Sequence, residues 1–99
     1  MSDTIEVENV THPGKTYRAN AAKYAAMREA MLAVLPSDAP GMTPAEVIAA
    51  VKPKLPQDLF PGGDKAGWWV KCVQLDLEAK KIIARAEKPP VRLHRLAGH

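Results

Sequence analysis

The sequence predicts one mainly α domain, three helices followed by a small C-terminal β-hairpin. Apolar residues recur at three- and four-residue steps over 20–35 and again over 64–81. A capping box at Thr43 opens a shorter helix between them. After Lys81 the apolar period shifts towards two, as in strands. Ninety-nine residues suit a single domain with a modest core. The expected boundaries are an N-terminal arm or pair of short strands over 1–19, the helical domain with its hairpin over 20–96, and a tail over 97–99.

Residues 2–18 admit two readings. Ile5 and Val7 alternate with Glu6 and Glu8 as in a strand, His12-Pro13-Gly14-Lys15 signals a turn, and Thr16-Tyr17-Arg18 would return as a second strand. Otherwise the segment is an ordered arm lying on the domain. Asn20 then suits an N-cap, because its side chain accepts a hydrogen bond from an otherwise unpaired helical N–H. Tyr24, Met27, Met31, Val34 and Leu35 form the apolar face of the first helix, which stops before Pro36. In Thr43-Pro44-Ala45-Glu46, Thr43 and Glu46 cap each other's backbone and proline takes the first helical position. This second helix turns Val47, Ile48 and Val51 inward and ends near Lys52, since Pro53 disfavours helical geometry before it. Residues 53–63 hold three prolines and two glycines and read as a loop, anchored by Leu55, Leu59 and Phe60 with a single turn around Gln57–Phe60. Asp64 is the expected cap of the long helix.

That long helix carries three stripes. Ala66, Trp69, Val70, Val73 and Leu77 share one apolar face, and Trp68, Cys72, Leu75 and Ala79 share a second. Lys71, Gln74, Glu78 and Lys81 form a polar stripe, while Asp76 and Lys80, four apart, pair between the apolar faces. One apolar face packs on the preceding helices. The other meets the hairpin, the arm or a second subunit. Two antiparallel strands follow, at about 82–87 and 91–96, joined through Lys88-Pro89-Pro90.

Charge divides unevenly. Residues 1–49 hold four Lys/Arg against six acids, and residues 50–99 hold ten against five. Either the C-terminal third meets an acidic partner, or its charges keep exposed strand edges from aggregating. One cysteine excludes an internal disulfide and any cysteine-rich zinc site. The N-terminus lacks the pattern of a signal peptide, and no apolar run is long enough to span a membrane, so the expected location is cytoplasmic.

Catalytic constellations are missing. Gly62-Gly63-Asp64-Lys65-Ala66-Gly67 spaces glycines like a phosphate loop, but Trp68 and Trp69 stand where its Lys-Ser/Thr must follow, so it reads as a turn and helix start. Cys72 lies on an apolar stripe with no histidine at helical spacing to activate it, and reads as a small buried hydrophobe. His12, His94 and His99 lack metal-ligand spacing. No enzyme activity, cofactor or metal is expected.

Helix, helix, long helix and basic hairpin, with the junction Leu77 to Ile82-Ile83-Ala84-Arg85, resemble the winged helix-turn-helix superfamily over residues 20–96. The sequence departs from it in a connection of about eleven residues between the second and third helices, where a tight DNA-binding turn has about three or four. A closer likeness rests on His12-Pro13-Gly14, Leu59-Phe60-Pro61-Gly62-Gly63, Gly67-Trp68-Trp69 and Gln74-Leu75-Asp76-Leu77-Glu78-Ala79-Lys80. Over nearly the whole chain these resemble a small bacterial family of uncharacterised, similarly short proteins, which implies no particular activity.

Two functions are expected from these residues. As a nucleic-acid-binding module, the chain would bring Lys65, Lys71 and Gln74 to a duplex from the long helix. Arg85, Lys88, Arg92 and Arg95 would contact phosphate from the wing, giving weak, salt-dependent DNA binding. As a protein-interaction module, it would use Trp68, Cys72, Leu75 and Ala79 to form a homodimer or hold a partner.

Overall fold

The structure is a computed structural model, and it describes residues 3–12, 14–38, 41–63, 65–86 and 89–96. Of the two readings of the N-terminal segment, the hairpin is what forms. β1 (Thr4–Glu8) pairs antiparallel with β2 (Thr16–Asn20), with Ile5 opposite Ala19 and Val7 opposite Tyr17. Alternation turns Val7 and Ala19 into the core while Glu6 and Arg18 stay exposed.

Asn20 ends β2 and caps α1 (Ala21–Val34), its Oδ1 accepting from the Lys23 N–H at 3.0 Å. Tyr24, Met27, Met31 and Leu35 are buried as the helical spacing predicts; Val34 is only half-buried, and Ala30 joins the inner face. The capping box forms at α2 (Pro44–Val51): Glu46 N–H donates to Thr43 Oγ1 and Thr43 N–H donates to Glu46 Oε1. Thr43's backbone and hydroxyl donors hold the Glu46 carboxyl below the usual carboxylate range. The chain ends α2 at Val51 with Lys52 as its C-cap, where the sequence places the end beside Pro53. It makes one tight 3-10 turn, Lys52–Lys54, because Pro53 falls in its first positions, where no N–H is needed. Phe60 closes the following loop from inside, edge-on to Trp69 at 6.2 Å.

α3 (Ala66–Ala79) is shorter than the 64–81 read from its periodicity. The expected cap, Asp64, lies outside the described residues, and Lys65 enters the helix in the left-handed region at φ 56° with no side-chain cap. At the other end Lys81 is again left-handed, φ 61°. Its N–H donates to Glu78 C=O and that of Ile82 donates to Leu77 C=O, the paired bonds of a Schellman cap. Lys81 therefore leaves the polar stripe to which its spacing assigned it. Ala66, Trp69, Val70, Val73 and Leu77 face the core together.

The chain then returns as β3 (Ile83–Arg85) and β4 (Leu93–Arg95), antiparallel, with Arg85 opposite Leu93. The strands are three residues each, shorter than the expected 82–87 and 91–96. Leu93 turns its backbone bonds to Met42, in an isolated antiparallel bridge of 2.9 and 2.7 Å. Gly41 makes this approach feasible. It sits at φ 92°, and a Cβ there would lie 1.9 Å from the Leu93 carbonyl oxygen. The result is a small α/β arrangement of three helices and two antiparallel hairpins around one core.

Candidate functional site

The two hairpins stand on either side of α3, and each is fixed to it differently. Asp76, in the last turn of α3 and fully buried, anchors the N-terminal hairpin. Its Oδ1 accepts from the Glu8 N–H at 2.9 Å, and its Oδ2 accepts from the Tyr24 hydroxyl and from Lys80 Nζ, the latter at 2.9 Å. Burial and then the bond to Asp76 push the Tyr24 phenol well above its ordinary pKa. Val10 N–H adds a bond to Leu75 C=O, and the Tyr17 hydroxyl donates to Cys72 Sγ at 3.0 Å. Cys72 lies beneath that contact, 3% exposed, and burial raises its thiol pKa. A buried thiol kept protonated is a poor nucleophile.

The C-terminal hairpin is tied to α3 by Glu78. Arg85 Nε and Nη2 donate to its two oxygens at 2.6 and 2.8 Å, which holds the guanidinium's pKa above its ordinary value. The same carboxylate accepts from Gln74 Nε2 at 3.3 Å.

Between the hairpins runs a groove of about 630 Å³ with α3 as its floor. Val70, Lys71, Gln74 and Leu75 line it from α3, and Pro44 and Ile48 from α2. The turn after β1 contributes Asn9, Thr11 and His12 to one rim, and Arg85 and Val91 form the other. The first rim is held locally. Asn9 Oδ1 accepts from both the Thr11 N–H (2.8 Å) and the Thr11 hydroxyl (2.6 Å), the hydrogen bonding of an Asx turn.

The groove gathers Lys71, Gln74 and Arg85 of the expected nucleic-acid set, with Leu75 of the expected interface set. Gln74 is only 6% exposed, and Arg85 is engaged by Glu78. Arg95 faces elsewhere. Its Nε donates to Leu35 C=O and its Nη2 to Ser37 Oγ, tying β4 to the C-terminal end of α1. Arg92 is half-buried and acts electrostatically on Glu46. Lys65 is exposed at the start of α3 and does not line the groove. Lys88 lies outside the described residues.

Trp68, Cys72 and Leu75, with Tyr17 and Lys71, surround a second, smaller hollow of about 270 Å³. Trp68 is 56% exposed and edge-on to Trp69 at 5.0 Å. Ala79 borders a separate depression with Glu8, Asn9 and Val10. The N-terminal hairpin therefore covers much of the second apolar face within one chain, leaving Trp68 and part of Leu75 at its edge.

Sequence reasoning missed the rim of Asn9, Thr11 and His12 and the burial of Asp76. The rim had a signal, an Asn-x-Thr spacing beside the recognised His-Pro-Gly turn. Asp76 had only its pairing with Lys80.

Among the described residues, no group of three His, Cys, Asp or Glu side chains is placed to hold a metal ion, and no helix is long and apolar enough to cross a membrane. The chain belongs to a family described as a Family of unknown function (DUF6958), whose model matches residues 4–93. The match runs from the first residue of β1 to the first of β4, so it takes in both walls of the groove. No curated protein and no solved structure matches the chain.

Proposed function

We propose that this chain is a small winged-helix binding module whose ligand is a segment of another protein. The winged-helix reading is supported by element order. The Met42 bridge sets the link between α1 and α2 beside β4, giving a minimal third strand to the hairpin that follows α3. The choice of ligand rests on one observation: of α3's polar stripe, Gln74 and Glu78 are recessed and already engaged, and Lys71 alone stands exposed. A helix that reads DNA must protrude into a major groove with free side chains. Here Gln74 is buried against Glu78, Arg85 is held bidentately by the same carboxylate, and Arg95 braces α1. The remaining surface is an apolar-floored groove, which suits a peptide better than a duplex.

Fluorescence anisotropy with a random-sequence duplex tests this. The expected result is no saturable binding at physiological salt, and at low salt a slope of log K against log salt no steeper than about −2, as from two phosphate contacts. A slope near −3.6, from about four contacts, would overturn the reading in favour of a nucleic-acid module.

The exposure of Trp68 beside Tyr17 favours a second reading, in which the partner is another copy of the chain. Light scattering on the eluting protein decides it. A dimer mass that Trp68→Ala reduces to a monomer supports self-association, and a wild-type monomer across the micromolar range rules it out.

A further inference from the structure

Resting on the protein-binding reading, we infer the chemistry of the partner: an extended segment alternating apolar and acidic residues, laid in the groove along the free edge of β3. Two independent observations lead there.

The first is charge. Among the described residues the groove is lined by Lys71, Arg85 and His12 and by no Asp or Glu. Glu78 satisfies Arg85 from behind and is itself largely covered. Lys71 is exposed and takes part in neither ion pair found among the described residues, Lys80–Asp76 and Arg85–Glu78. An acidic side chain beside Lys71 therefore meets an unpaired cation, whereas a basic one meets like charge. The apolar floor of Ile48, Val70 and Leu75 accounts for the other half of the pattern.

The second is the strand edge. Leu93 exchanges both its backbone bonds with Met42. Arg85, its registered neighbour on β3, therefore sits in a non-hydrogen-bonded pair, and alternation turns its N–H and C=O away from β4. No described strand pairs with that side of β3. Arg85 also lines the groove, and at the adjoining edge of β3 a segment meets an open backbone donor and acceptor, the basis of strand addition. In an extended segment successive side chains point to opposite faces. Alternating apolar and acidic residues then set one series against Ile48, Val70 and Leu75 and turn the other outward, where the exposed Lys71 meets it.

A second copy of the chain fits this groove less well. A two-fold contact centred on it would set Lys71 and Arg85 against their own counterparts.

The test is an NMR titration of the full ¹⁵N-labelled chain with three short blocked peptides: alternating Glu and Leu, alternating Lys and Leu, and alternating Glu and Ser. The Glu/Leu peptide should bind saturably, shift the amides of Lys71, Leu75, Arg85 and Val91, and slow hydrogen exchange at the Arg85 N–H. The other two should not bind. Lys71→Glu, a change at an exposed position that spares the fold, should weaken the Glu/Leu peptide about tenfold and confer binding of the Lys/Leu peptide. Failure of the Glu/Leu peptide to bind, binding that ignores charge, or shifts centred on Tyr17 and Trp68 would each overturn the inference while leaving a protein-binding role intact. Saturable duplex binding at physiological salt would overturn that role and the inference together.

Discussion

Both hairpins are fixed to α3 through a carboxylate of that helix, and they differ in what else holds them. β1–β2 is held by a side chain: one buried carboxylate, Asp76, collects a backbone N–H from β1, a hydroxyl from α1 and the ammonium of Lys80. β3–β4 is held by the Glu78–Arg85 pair and by backbone: Gly41 lets Met42 reach Leu93, and the Schellman cap at Lys81 aims the chain into β3. The first attachment is concentrated in one group, the second is spread along the chain. Together they explain why the third helix is a floor and not a ridge. Walls rise on both sides of it, and between them Gln74, Glu78 and Arg85 bond to each other before any ligand arrives, leaving Lys71 exposed.

The largest expected effect comes from removing the concentrated attachment. Asp76→Ala leaves the Tyr24 hydroxyl buried without its acceptor and the Lys80 ammonium without its partner, and should cost about 4 kcal/mol in urea unfolding. In native hydrogen exchange the loss of protection should be greatest over Thr4–Asn20. A cost below about 1 kcal/mol would mean that the hairpin is held mainly by Val7 and Ala19 in the core.

Breaking the distributed attachment should cost somewhat less. Gly41→Ala forces a Cβ against the Leu93 carbonyl at a positive φ and should cost about 3 kcal/mol, from strain and the loss of the two bridge bonds. Protection should fall at Met42 and Leu93 while β1–β2 keeps its own. Equal losses in both hairpins would show that they are one cooperative unit, and the contrast drawn between them would fail.

Which parts of this were legible in the sequence follows from how local each signal is. Asn20 and the Thr43–Glu46 box act within three residues, and both caps form where they were read. The helical core faces were legible for the same reason, since burial follows a period that the chain carries in itself. The ends of α3 were not, although those of α1 before Pro36 and α2 near Lys52 were, because lysine has no preference for the left-handed region that Lys65 and Lys81 adopt. The Met42–Leu93 bridge and the bonds of Asp76 to Glu8 and Tyr24 join residues more than fifty positions apart, and no local pattern marks them. The site was half legible for a related reason. Lys71, Gln74, Leu75 and Arg85 were singled out by type and spacing, and they do converge. Spacing cannot show that Glu78 would take up Gln74 and Arg85.

That last point offers the most direct test. Glu78→Ala removes the carboxylate that engages both groups; because Glu78 is largely covered and also holds buried Gln74, the variant costs more than a surface ion pair, and circular dichroism first checks that it folds. Duplex anisotropy across a range of salt, on wild type and variant in parallel, then reports whether α3's face is masked. The account predicts a shallow wild-type slope that steepens by about 0.9 in the variant, as Arg85 becomes one new phosphate contact. A wild-type slope already near −3.6, unchanged by Glu78→Ala, would contradict it.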